Sequence, residues 1–211
     1  MNISNKNKGV MLVLSSPSGA GKSSICKSLM SLDKNLSLSI STTTRKKRPN
    51  EKSGEDYIFV SIDEFKSMLN KNHFLEHANV FGNYYGTNKS IVESRINNGK
   101  DLIFDIDWQG AQQLREKMRE DIVSVFILPP SKQELERRLK SRGEDSDEVV
   151  KKRMDGASAE ITHWAEYDYV VINKNLNDSV KAVLGILKAE RMKRIRQVGL
   201  GEFVRSISHD L

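Results

Sequence analysis

The feature that most constrains the fold is a short apolar run that leads into a glycine-rich turn and then into a helical pattern. Residues 10–14 are all apolar, which is typical of a buried strand. Residues 22–32 have the spacing of a helix. The turn and the first helical residues are Ser16, Pro17, Ser18, Gly19, Ala20, Gly21, Lys22, Ser23 and Ser24. They match the phosphate-binding pattern G-x-x-x-x-G-K-[ST], except that a serine takes the place of the first glycine.

The residue types of this loop suit the binding of a polyphosphate. Small residues allow successive backbone N–H groups to face the phosphates, and the following helix adds the positive end of its dipole. Lys22 is expected to reach the β- and γ-phosphates, and Ser23 to offer its hydroxyl to Mg²⁺. The alternative is an ordinary Gly/Ser-rich turn with a surface lysine. The strand before the loop and the helix after it favour the phosphate loop.

Further apolar runs predict an α/β fold built on a parallel sheet. Strand patterns cover residues 102–106, 122–128 and 169–172, and helical patterns cover 62–71, 89–98, 131–141 and 179–198. Parallel strands need crossover connections, which usually are helices, so we expect a sheet covered on both faces. Ser131 lies three residues before Glu134, which is the spacing of a capping box. Residues 39–86 hold a basic cluster and several Tyr and Phe residues, which predicts a small strand-rich insertion.

Two acidic residues follow the second predicted strand. Asp105 and Asp107 come at the end of the run 102–106, and the carboxyl end of a core strand lies beside the phosphate loop in a parallel sheet. There they can hold the water shell of a metal ion or accept hydrogen bonds from a substrate. Taken alone, an aspartate that ends a turn or caps a helix is an equally good interpretation. The neighbouring loop favours a functional role.

Composition limits the classes of partner and compartment. The chain has 34 Lys and Arg against 28 Asp and Glu, a formal charge of +6, which favours anionic partners without naming one. The single cysteine, Cys26, excludes an internal disulfide and fits a reducing compartment. The apolar runs are far too short to span a bilayer. We therefore expect a cytoplasmic protein without a membrane partner.

Taken together, the motifs resemble those of the guanylate kinase family. The resemblance runs from about residue 10 to about residue 188 without a large gap. Its motifs are the phosphate loop at 16–24, Ser41-Thr42-Thr43-Thr44-Arg45 with Arg48-Pro49, Gly54-Glu55-Asp56-Tyr57, Phe74-Leu75-Glu76, Gly82-Asn83-Tyr84-Tyr85-Gly86-Thr87, Asp105-Ile106-Asp107 with Gln109-Gly110, and Pro129-Pro130-Ser131.

The resemblance implies a binding site for GMP. The residues that match the family's phosphate contacts are Arg45, Arg48, Tyr57 and Tyr85, and those that match its guanine contacts are Ser41, Glu76, Thr87 and Asp107. Guanidinium groups make bidentate contacts with phosphate, and phenolic hydroxyls donate without adding charge. Guanine offers N1–H and an exocyclic amine to carboxylates, whereas adenine would leave those acceptors unpaired.

The resemblance also implies an ATP site closed by a lid. By position, Arg138, Arg142 and Arg153 would reach the ATP phosphates and, with Lys22 and Arg45, form the catalytic set; Ser23 and Asp105 would organise Mg²⁺. The implied activity is transfer of the γ-phosphoryl group of ATP to GMP, and to dGMP as well, in purine nucleotide metabolism. The implied fold is a P-loop nucleoside monophosphate kinase with a core at 8–38, 100–130 and 155–190, a GMP-binding subdomain at 39–90, a lid at 137–153 and a C-terminal extension at 191–211.

Two other functions compete with this interpretation. One is a catalytically silent guanylate-kinase-like module that binds phosphorylated peptides. The intact Gly21-Lys22-Ser23 argues against it, because such modules have degraded phosphate loops. The other is a nucleic-acid-binding protein, which rests on charge and the basic run 43–49 alone. We expect no nucleic-acid partner, and the sequence leaves the oligomeric state open.

Overall fold

The computed structural model describes residues 7–80, 82–141 and 147–209. The strands are β1 (Met11–Ser15), β2 (Leu36–Leu38), β3 (Thr42–Thr43), β4 (Ile58–Phe59), β5 (Phe74–Val80), β6 (Asn83–Asn88), β7 (Asp101–Asp105), β8 (Ile122–Leu128) and β9 (Tyr169–Ile172). The α-helices are α1 (Lys22–Leu32), α2 (Ile62–Asn70), α3 (Lys89–Asn97), α4 (Trp108–Met118), α5 (Lys132–Lys140), α6 (Asp147–Ile161), α7 (Leu176–Arg191) and α8 (Leu200–His209). Two short 3₁₀ helices cover Thr162–Glu166 and Arg194–Arg196.

Five parallel strands form the core sheet, which confirms the predicted α/β class. Their order is β2-β7-β1-β8-β9, and every neighbouring pair runs parallel. β1 lies in the middle, with Leu14 beside Asp105 of β7 and Val125 of β8. Because parallel strands present their carboxyl ends at one edge, the loop after β1 and the acids after β7 become neighbours.

Helices cover both faces of this sheet, and the side chains of β1, which point alternately to the two faces, show how. Leu12 and Leu14 belong to a core cluster that includes Ile25 of α1 and Val183 of α7. Met11 and Val13 point the other way, into a second cluster that includes Leu114 of α4. Strands buried on both faces have continuous apolar runs rather than alternating ones, which is why residues 10–14 are apolar throughout.

A second, four-stranded sheet lies between residues 42 and 88, in the order β4-β3-β6-β5. Helix α2 packs on it through Phe65, whose ring stacks on Phe74 at 4.6 Å and on Tyr84 at 5.4 Å between centroids. The helix begins with a complete capping box formed by Ser61 and Glu64, which satisfies two backbone N–H groups. The sheet stands at the carboxyl end of β7, so residues on it can face the phosphate loop.

The charged segment after β8 forms two helices that pack against each other. Leu135 and Leu139 of α5 pack against Val150 and Ala157 of α6 in a small buried cluster. The side chain of Ser131 accepts from the Glu134 N–H at 3.1 Å, as the capping-box spacing predicts. The Glu134 carboxylate differs from that prediction. It accepts from two arginines of its own helix instead of completing the capping box.

The structure corrects one predicted helix and adds others. The helix expected at 179–198 begins at Leu176 and ends at Arg191. It starts earlier because Asn175 caps it by accepting from the N–H groups of Asn177 and Asp178. It ends at Arg191, which forms ion pairs with Asp33 and Asp101. Helix α4, strand β2 and helix α8 were not predicted.

No helix in the described ranges is long and apolar enough to cross a membrane.

Candidate functional site

The phosphate loop turns sharply between β1 and α1. Gly19 and Gly21 have φ angles of +91° and +100°, in the left-handed region that favours glycine. A Cβ on Gly21 would also clash with the side-chain amide of Asn173. With a glycine as N-cap, no side chain covers the first amides of α1, so they are free to bind an anion.

Lys22, Ser23 and Asp105 form one connected group at the base of this loop. The Lys22 Nζ lies 2.7 Å from Asp105 Oδ1 and donates to the Ile106 carbonyl oxygen at 2.9 Å. The Ser23 hydroxyl donates to Asp105 Oδ2 at 2.9 Å. Burial lowers the pKa of Lys22, but the Asp105 carboxylate outweighs it and the net shift is upward. Burial likewise raises the pKa of Asp105, while Lys22 and Ser23 bring it below its usual value. Both groups are therefore charged.

Glu76 is the most perturbed acid of the neighbouring cleft. Its side chain is only 2% exposed, and it accepts a hydrogen bond from the Thr87 hydroxyl at 2.5 Å. Burial raises its pKa to about 7, helped by the charge of Asp107 and opposed by the Thr87 hydrogen bond. Gly110 makes room for it, because a Cβ there would lie 2.7 Å from Glu76 Oε2. A buried carboxylate with unused lone pairs suits a ligand that brings N–H donors.

Asp107 combines two roles that the sequence left as alternatives. It is the N-cap of α4, where its side chain accepts from the Gly110 N–H at 3.0 Å and from Gln109 Nε2 at 3.2 Å. It also lines the same cleft as Glu76. Capping fixes the orientation of the carboxylate at the cleft wall.

Aromatic and cationic side chains gather at the other end of the cleft. The Arg45 guanidinium lies 5.3 Å from the centre of the Tyr57 ring, and the Tyr57 and Tyr85 rings are 6.0 Å apart. Glu51 accepts from Arg45 Nη2 at 2.6 Å and from the Arg48 backbone N–H at 2.8 Å. Burial raises the pKa of Tyr57, which keeps its hydroxyl protonated as a donor.

Glu76, Asp107, the two tyrosines and the Lys22–Asp105 pair share one cavity of about 210 Å³. It is lined by Lys22, Ser41, Tyr57, Glu76, Ala78, Val80, Tyr85, Asp105, Ile106 and Asp107. A larger cavity of about 690 Å³ lies at the other end of the sheet, where Asp101 and Arg191 pair with each other. The size of a cavity therefore does not identify the site. The cluster of charged groups with shifted pKa values does identify it.

The remaining predicted residues do not line this cavity, as far as the described ranges reach. Thr87 is buried behind Glu76, and the Arg48 side chain is exposed. Arg138 lies against the back of the phosphate loop and donates to the carbonyl oxygens of Ala20 and Asn173 at 3.3 and 3.0 Å. Arg153 is half-buried on α6, and Arg142 lies outside the described residues.

Three residues of the site went unnoticed in the sequence, namely Glu51, Glu160 and Asn173, and Gly110 was recognised only as part of a motif. Asn173 donates to the Ala20 carbonyl at 2.8 Å, which ties the end of β9 to the phosphate loop. Glu51 and Gly110 lie within or beside the recognised motifs, and that proximity was the available signal. Glu160 reaches the loop from 142 residues away along the chain, so no local pattern could reveal it.

The structure combines a phosphate loop on a parallel sheet with a cleft that holds buried acids at one end and cationic groups at the other. This combination defines a P-loop kinase that acts on a small nucleotide. The family model for guanylate kinase matches residues 8–190. The guanylate kinase of Paramagnetospirillum magneticum is 54% identical over 200 residues, covering 95% of this chain and 94% of that protein. That of Nitrobacter winogradskyi is 52% identical over 206 residues, covering 98% and 94%. The crystal structure of guanylate kinase from Anaplasma phagocytophilum has a TM-score of 0.80 at 42% identity, covering 95% of this chain and 96% of that one. The chain belongs to the guanylate kinase family and is a nucleoside monophosphate kinase.

Proposed function

We propose that the cavity between the phosphate loop and the second sheet is where this chain carries out its family's reaction, the transfer of the γ-phosphoryl group of ATP to GMP. The observation that carries the assignment is that Lys22 and Asp105 line the same cavity as Glu76 and Tyr57. Groups suited to a triphosphate thereby face groups suited to a guanine base and its phosphate. Such an arrangement brings donor and acceptor phosphates within reach of one another.

On the ATP side, the backbone N–H groups of the loop 16–24, in which Pro17 has none, and the Lys22 ammonium group bind the phosphates. A divalent cation accompanies ATP, and we assign it as Mg²⁺. The Ser23 hydroxyl and the Asp105 carboxylate, already 2.9 Å apart, are the oxygen donors that Mg²⁺ prefers. When bound, the ion neutralises the charge that develops between the β- and γ-phosphates.

On the GMP side, two carboxylates select the base. The Glu76 carboxylate accepts from guanine N–H groups, and Thr87 holds it in place through their hydrogen bond. Asp107 and Ser41 complete the lining of the base site. A base without those N–H donors would leave buried acceptors unpaired, and such a mismatch can cost about 10⁴-fold in specificity.

The GMP phosphate binds at the cationic end of the cleft. Arg45 and Arg48 supply charge, and Tyr57 and Tyr85 supply hydroxyl donors. Glu51 already orders the Arg45 guanidinium. The Arg45 side chain therefore loses less conformational freedom when phosphate binds. A GMP phosphate oxygen then attacks the γ-phosphorus, and the bond to the β,γ-bridging oxygen breaks to leave ADP. The attacking oxygen is already ionised, so catalysis consists of positioning and electrostatic stabilisation.

Two arginines of the proposed catalytic set lie on the helical pair, and the third, Arg142, lies outside the described residues. Arg138 lies directly behind the loop, and Arg153 lies on α6. We assign both to the ATP phosphates, with 137–153 as the lid and 39–90 as the GMP-binding subdomain. The contacts assigned above involve base and phosphate rather than the ribose, so we include dGMP as an acceptor. The proposed setting is purine nucleotide metabolism in the cytoplasm.

The test is a coupled assay of ADP formation with GMP, dGMP, AMP, UMP and CMP as separate acceptors. We expect turnover with GMP and dGMP, at least about 10³-fold lower kcat/KM with the others, and loss of turnover when EDTA removes the metal. Equal rates with all acceptors, or no turnover with GMP, would refute the assignment. Mn²⁺ compared with Mg²⁺ in the same assay tests the identity of the cation.

A further inference from the structure

A carboxylate of the chain itself occupies the phosphate loop. Glu160 Oε2 accepts a hydrogen bond from the backbone N–H of Ser18 at 3.2 Å. Ser18 stands inside the loop, before Gly19, and its N–H is among those assigned to the ATP phosphates. A negatively charged oxygen from α6 therefore takes the place that the proposed function gives to an oxygen of ATP.

The stability of α6 does not account for this acid. Glu160 is in the last turn of the helix, where the helix dipole disfavours a negative charge. Burial raises the pKa of Glu160, and the Ser18 hydrogen bond and the charge of Lys22 act in the opposite direction. The net shift of the Glu160 pKa is upward, so the loop that binds phosphate offsets only part of the hydration that the carboxylate gives up.

The two functional side chains next to the loop, those of Lys22 and Ser23, are also engaged within the chain. Lys22 is paired with Asp105, and Ser23 donates to the same carboxylate. The loop is thus held by two acids, one from the core sheet and one from α6. Asp105 can stay when a cation arrives, because it is assigned as a metal contact. Glu160 has no such role and would face the phosphates directly.

The position of Glu160 depends on the packing of α6. Ala157, one turn before Glu160, is buried against Leu135 and Leu139 of α5. A Cβ on Gly19 would come within 3.0 Å of these same leucine side chains, so α5 rests on the phosphate loop. Phosphate binding at Ser18 therefore requires Glu160 to move, either by a change of rotamer or together with α6.

We propose that Glu160 is a built-in competitor of the ATP phosphates, which holds the phosphate loop in the absence of nucleotide and is displaced when ATP binds. The inference rests on the proposed function, because it takes the loop as the ATP site. When a ligand must displace an internal group, its apparent affinity is its intrinsic affinity multiplied by the fraction of molecules in which that group has left the site. Loss of the carboxylate should then tighten ATP binding without affecting GMP.

The experiment compares the wild type with Glu160→Gln, Glu160→Ala and Asp155→Asn. Asp155 is an exposed acid on the same helix, so its variant controls for the loss of one negative charge. Calorimetric titration with ATP, and separately with GMP, gives the dissociation constants. Loss of a hydrogen bond to a charged group predicts tighter ATP binding by about 10- to 150-fold for both Glu160 variants. Asp155→Asn should change it by less than about twofold, and GMP binding should stay constant in all variants.

A second measurement follows the loop itself. Hydrogen exchange of a peptide covering residues 16–23, without nucleotide, should be faster in both Glu160 variants than in the wild type and in Asp155→Asn. Unchanged or weaker ATP binding in Glu160→Gln with intact GMP binding would overturn the proposal, as would an equal gain in Asp155→Asn. A wild type that fails to bind ATP or to phosphorylate GMP would instead refute the proposed function, so the two failures are distinguishable.

Discussion

Replacing Glu76 by glutamine should stabilise the free protein while it damages the GMP site. The folded state holds a proton on Glu76 up to about pH 7, whereas its ordinary pKa is 4.5. Between these values the folded state binds more protons than the unfolded state, so the free energy of unfolding falls as pH rises through this window. Above it, the buried charge costs about 3 kcal/mol, at about 1.4 kcal/mol for each pKa unit. Glutamine carries no charge and removes this pH-dependent cost.

The realised gain will be smaller than the full cost. The amide oxygen can still accept from Thr87, but a neutral acceptor makes a weaker hydrogen bond than a carboxylate. The amide also places N–H donors where Oε2 now lies. We therefore expect the free energy of unfolding of Glu76→Gln to exceed that of the wild type by about 1–3 kcal/mol at pH 8. For a chain of this size the Tm should rise by about 2–12 °C.

The assay is calorimetric melting of both proteins, without nucleotide, at pH 5, 6, 7 and 8. The difference in Tm should be small at pH 5 and grow to its full value by pH 8. The exposed Glu116→Gln on α4 serves as the control and should differ from the wild type by the same amount at every pH. In the coupled assay, Glu76→Gln should raise the KM for GMP about 10²-fold. A variant that is less stable than the wild type at pH 8, or a difference that does not change with pH, would refute this reasoning.

Three further substitutions test the loop, the base site and the core. Lys22→Ala should lower kcat by about 10²-fold or more in the coupled assay, because it removes a positioned cation from the transferring phosphoryl group. Gly110→Ala should raise the KM for GMP about tenfold or more and leave the KM for ATP unchanged, because its Cβ would lie 2.7 Å from Glu76 Oε2. Arg191→Met should lower the free energy of unfolding in urea by about 2–4 kcal/mol and leave kcat unchanged, because it removes the cation that pairs with the buried carboxylate of Asp101.

Matched variants make each outcome decisive. Lys27→Ala on the exposed side of α1 should keep full turnover, and equal losses at both lysines would contradict the role of Lys22. Gly156→Ala, where a Cβ meets nothing within 4 Å, should leave the KM for GMP unchanged. Lys181→Met on the exposed side of α7 should cost little stability, and a loss as large as that of Arg191→Met would count against the ion-pair explanation.

Much of the architecture could be predicted because its signals are local. The run 10–14 is apolar throughout since a central parallel strand is buried on both faces, and β1 lies there. Helix α1 begins at Lys22 and ends at Leu32 as the periodicity predicts. The end of α7 could not be read in this way, since the helix stops where Arg191 meets Asp33 and Asp101, which are distant in the chain.

The sequence by itself determined the phosphate loop, the α/β class and the family, because these depend on residue types at fixed spacings along one continuous stretch after another. The tertiary structure alone decided which charges meet. The resemblance assigns Glu76 a contact with the base, but only the second sheet buries it and raises its pKa to about 7. No motif includes Glu160, and only the packing of α6 brings it to the Ser18 amide. Burial and long-range contact set the electrostatics of a site, and neither is encoded in local spacing.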